Sequence, residues 1–73
     1  MTDLKRARVA LRLSQSALAR LAGVPRVHVC LHELGDRPLN AQEESRIEAA
    51  IRQETERLQK AARTILAADD HEA

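Results

Sequence analysis

A chain of 73 residues that lacks Phe, Tyr and Trp and holds only two Gly and two Pro has room for one compact unit around a small aliphatic core. This excludes a large enzyme, an aromatic platform for stacked bases and a Gly- or Pro-rich spacer. The formal charge of +1 conceals an asymmetry: residues 1–39 carry seven Lys/Arg against three acids (+4), and residues 40–73 carry five against eight (−3). A basic half suits a polyanion, from which the acidic half is kept away.

No run of even ten apolar residues occurs, while a bilayer span needs about 20. Cys30 is the only cysteine and cannot form an internal disulfide, and no signal-type apolar stretch follows a basic start. A reduced, cytoplasmic protein is expected.

In chain order, the first helix is expected to begin at Thr2 or Asp3, either of which can cap the first turn, and to reach about Leu11. Leu4, Ala7 and Leu11 form its core stripe. Ser14 caps a short second helix, Gln15 to Ala22, with Leu18, Leu21 and Ala22 as its apolar positions. Gly23 stops it, and Pro25 opens a third helix that ends near Leu34, before a turn over Gly35, Asp36, Arg37 and Pro38. Asn40 and Glu43 have the spacing of a capping box, and from there to about Ala68 no Gly or Pro interrupts a single long helix. The expected fold class is all-α: three short helices in residues 1–39, one long helix over 40–68 and an acidic tail at 69–73.

Two short helices joined by a tight turn must cross steeply, which requires a small residue at their contact and aliphatics facing inward. Ala19, Gly23, and Leu18, Val24 and Val29 meet these needs. Here the chain resembles the helix-turn-helix repressors of the Xre/Cro type, transcription regulators of bacteria and phages, on Leu13-Ser14-Gln15, Leu18-Ala19, Ala22-Gly23-Val24, Val29, Glu33 and Gly35. The resemblance covers about Leu4 to Leu39.

The resemblance implies sequence-specific binding of double-stranded DNA, with the third helix in the major groove. Arg26, Val27, His28 and Leu31 would then face the bases. Arg26 suits bidentate pairing with guanine or, alternatively, a phosphate contact, and Val27 and Leu31 suit thymine methyl groups. A second orientation stays open, because Val27, Cys30, Leu31 and Leu34 at i, i+3, i+4, i+7 also have the spacing of a core face. Ser14, Gln15, Ser16, Arg12 and Arg37 are expected near phosphates, and Arg8 with Glu33 as a structural ion pair. Arg12 stands where such repressors often have glycine, and Ala17 replaces the acid that would complete a capping box with Ser14. His32 stands where they usually place a large apolar residue. His28 and His32 are one turn apart, but two ligands do not close a tetrahedral metal site, so no metal or cofactor is expected.

In the long helix Ile47, Ile51, Leu58, Ala61 and Ile65 recur at heptad-like spacing. With Ala62 they are expected to form a homodimer interface. The resulting expectation is a cytoplasmic, nucleoid-associated homodimeric repressor on an inverted-repeat operator, its third helices about 34 Å apart. An antitoxin-type regulator that also masks a toxin, or a protein-interaction module built on the long helix, is the alternative. An enzyme is not expected, since no catalytic constellation is visible.

Overall fold

The computed structural model describes the backbone of residues 3–72 and the side chains of residues 3–67. It is all-helical: α1 Leu4–Ala10, α2 Gln15–Ala22, α3 Arg26–Glu33 and α4 Ala41–Glu72. None of these helices is long and apolar enough to cross a membrane.

The three short helices end alike, and these endings shape the bundle. After α3, the amide of Gly35 bonds to the carbonyl of His32 and that of Asp36 to the carbonyl of Leu31, while Gly35 sits at φ +80°. After α2, Gly23 sits at φ +69° and the Val24 amide reaches the Ala19 carbonyl. Both are left-handed terminations, a conformation open to glycine without a Cβ penalty. After α1 the same pattern recurs, with Arg12 and Leu13 amides bonded to Val9 and Arg8 carbonyls. There the left-handed residue is Arg12, at φ +58°.

The helix starts differ. Ser14 caps α2 by accepting the Ala17 amide at 2.9 Å, whereas Asp3 makes no side-chain cap to α1; Thr2, the other candidate, lies outside the described residues. Asn40 and Glu43 form the reciprocal box at the head of α4: the Glu43 amide donates to Asn40 Oδ1 at 2.7 Å and the Asn40 amide to Glu43 Oε1 at 3.2 Å.

The core is small and aliphatic: Leu4, Leu18, Ala19, Ala22, Val24, Val29, Leu39, Ile47 and Ala50, with Leu13 and Ile51 packed at its edge. Ala19, Val24 and Val29 are buried at the α2–α3 crossing, as the steep angle requires. Of the α1 stripe only Leu4 is buried; Ala7 and Leu11 are half-buried, and in α2 Leu21 faces water.

Burial along α4 stops early. Ile47 and Ala50 belong to the core, yet every described side chain from Glu56 onward is exposed. The helix of 32 residues is about 48 Å long at 1.5 Å per residue, and it sets the 52 × 19 × 18 Å dimensions of the molecule. The radius of gyration, 15.0 Å, exceeds the roughly 11 Å of a compact chain this long.

Candidate nucleic-acid interface

The orientation of α3 follows from one residue. Val29 is fully buried, which turns the opposite side outward: Val27 is 51% and Leu34 67% exposed, and Cys30 and Leu31 are half-buried between them. The orientation with Val27, Cys30, Leu31 and Leu34 as the core face is therefore not the one adopted. The bundle places Val24 and Val29 against α2, and an apolar i, i+3, i+4, i+7 stripe is left on the surface. Arg26, at the first position of α3, is exposed beside it.

His28 departs from the expectation that it faces the bases. Its Nδ1 lies 2.5 Å from Glu43 Oε2, so the ring turns towards α4 and ties α3 to the long helix. The same carboxylate serves the Asn40 amide. Glu43 is held below its usual carboxylate range, first by the His28 hydrogen bond and next by the Asn40 amide, with burial opposing. Sequence inspection identified the Asn40–Glu43 box but not its junction with His28, because partners 15 positions apart meet only through the angle between α3 and α4.

Arg8 and Glu33 form a two-bond pair, Nε to Oε2 at 2.8 Å and Nη2 to Oε1 at 2.9 Å. Arg8 Nη1 also donates to the Leu13 carbonyl at 2.8 Å. With side chains 12% and 3% exposed, the pair joins α1, the first turn and α3 in one place. The Arg8 bond pushes the Glu33 carboxyl below its ordinary value of 4.5, with a further hydrogen bond from Gln15 and burial acting the other way.

Gln15 is the second correction. Expected near phosphate, it is half-buried and its Nε2 donates to Glu33 Oε1 at 3.1 Å, so its side chain completes the internal ion-pair network. Ser14 is exposed, its Oγ oxygen engaged in the cap, and Ser16, Arg12 and Arg37 are exposed. Lys5, Arg6 and Arg20 also reach water. Arg46 reaches from α4 to the Gly23 carbonyl at 3.5 Å, a contact that spacing alone did not reveal.

The expected dimer seam divides in two. Ile47 is buried within its own chain and Ile51 half-buried against the same core, so neither is open to a partner as expected: the bundle takes them first. Leu58, Ala61, Ala62 and Ile65 are exposed, together with Leu66. Among the described residues no group of three or more His, Cys, Asp or Glu side chains is placed to hold a metal ion. No protein-family model, curated protein or solved structure matches the chain.

Proposed function

We propose that this chain is a sequence-specific transcription regulator that binds double-stranded DNA through α3 and acts in the cytoplasm, at the nucleoid, as a homodimeric repressor on an inverted-repeat operator. The observation that carries the reading is the outward side of α3, where Arg26 and Val27 are exposed and Leu31 is half-buried, on a helix anchored from behind by Val29. A guanidinium beside two aliphatic side chains matches a guanine edge and thymine methyl groups, and a helix fits the major groove. Exposed Arg12 and Arg37, with Ser14 and Ser16 at the head of α2, supply phosphate contacts that fix the approach. The resemblance to Xre/Cro-type repressors supports the same assignment.

The test is selection of bound duplexes from a random pool, followed by titration at several salt concentrations. An enriched inverted repeat is expected, with log affinity falling against log salt by about 0.9 per phosphate contacted. Arg26→Ala is expected to relax preference at one base pair per half-site, at about 1–3 kcal/mol of discrimination. No enrichment, and no retardation of duplex DNA even at low salt, would overturn the reading. The exposed Leu58, Ile65 and Leu66 of α4 favour the runner-up, a protein-interaction module built on the long helix, and that outcome would leave it standing.

A further inference from the structure

The exposed half of α4 continues the stripe that its first half buries. Spacings of three and four residues carry the line from Ile47, in the core, through Ile51 and Glu54 to Leu58, Ala61 and Ile65, with Ala62 and Leu66 beside it. The bundle of α1 to α3 therefore lies on the side of α4 where a partner helix must dock. Two copies paired in parallel along this stripe would drive both bundles into the same space between the helices, at interaxial distances of only 8–10 Å. Two copies paired antiparallel carry their bundles to opposite ends and leave Leu58 to Leu66 free to meet. Among the described residues the exposed portion has no packing against its own chain, whereas most helical stability in proteins comes from tertiary packing of an amphipathic face.

The residues match the antiparallel choice. With the two-fold axis near Arg63, Ala61 of one copy falls opposite Ile65 of the other, and Ile65 opposite Ala61. A large side chain then meets a small one at each layer, and the contact is reciprocal as an isologous interface requires. In parallel, Ala61 would face Ala61 and Ile65 would face Ile65, so the gap between the helices would alternate.

Resting on the reading of the chain as a homodimeric regulator, we propose that the occupant of this surface is a second copy of the chain, bound antiparallel through Leu58, Ala61, Ala62, Ile65 and Leu66. The His28–Glu43 contact sets α3 beside the first turns of α4. The two α3 helices then stand about 60 Å apart along α4, at 1.5 Å per residue. That is nearer two turns of DNA than the single turn of about 34–36 Å expected from the sequence.

The experiment places one nitroxide per chain, at Glu48→Cys or at Gln53→Cys, both exposed positions, in a Cys30→Ser background, and measures the distance between labels by pulsed electron resonance. The antiparallel pair gives about 45 Å for position 48 and about 30 Å for position 53, from the helical rise. Distances that stay short and equal at both positions, set by the 8–10 Å interaxial spacing and the label arms, would overturn the orientation. An absence of dipolar coupling in a sample that retains its helical circular dichroism would overturn self-pairing. Two positions guard against one label disturbing the helix. Duplex binding is read separately on the labelled protein, so expected distances with no DNA binding count against the regulator reading and leave the pairing intact.

Discussion

Arg12 holds a left-handed backbone at φ +58°, where the equivalent ends of α2 and α3 hold Gly23 and Gly35. An L-residue pays about 1–2 kcal/mol for this conformation, and glycine returns part of the gain through its freer unfolded chain, about 0.5–1 kcal/mol. Arg12→Gly is therefore expected to stabilise the fold by roughly 0.5–1 kcal/mol in urea unfolding. DNA affinity is expected to fall, with the salt slope reduced by about one unit as a phosphate contact is lost. A variant that gains stability and keeps its salt slope would remove Arg12 from the interface. A second residue-scale expectation concerns Glu33. Its carboxyl is depressed by Arg8, so its contribution to stability is present above the ordinary value of 4.5 and is lost as pH falls through the lower, folded value. Arg8→Ala is expected to cost about 3 kcal/mol at pH 7, since it strands a nearly buried carboxylate. Glu33→Gln is expected to flatten the decline of stability in acid, measured by urea unfolding at pH 7 and pH 3.

At the scale of elements, the ends of α2 and α3 and the start of α4 were the most legible features, whereas Asp3 makes no side-chain cap and the α4 backbone runs to Glu72, past the end expected near Ala68. Ser14, Asn40 with Glu43, Gly23 and Gly35 announce their turns because capping and left-handed termination are local chemistry, settled within about six residues. The Asn40 cap matters more than most, since it starts a helix of 32 residues. Asn40→Ala is expected to lower stability by about 1 kcal/mol and to lower the thermal midpoint of the helical signal. What could not be read locally were the faces. The rotation of α3 was open until Val29 took the interior, His28 turned to α4, and Gln15 turned to Glu33. Each of these depends on crossing angles between helices, which side-chain spacing in one helix does not encode. The division of the α4 stripe beyond Ile51 is of the same kind, for periodicity runs unbroken past the point where burial by the chain's own bundle ends.

For the whole molecule, a core of nine buried aliphatic residues supports a helix that projects far past it. Among the described residues only the first part of α4 is packed against its own chain, so in the proposed dimer, supporting the remainder and binding a second copy would be one equilibrium. Stability should then depend on protein concentration: the thermal midpoint is expected to rise when the sample is concentrated a hundredfold, and to lose that dependence in Ile65→Glu. A midpoint unmoved by dilution would mean that the helix stands alone. In the proposed homodimeric regulator, the helix that reaches beyond its support would turn copy number into a signal. At low abundance chains would separate before they find their operator, and repression would switch on steeply as expression accumulates.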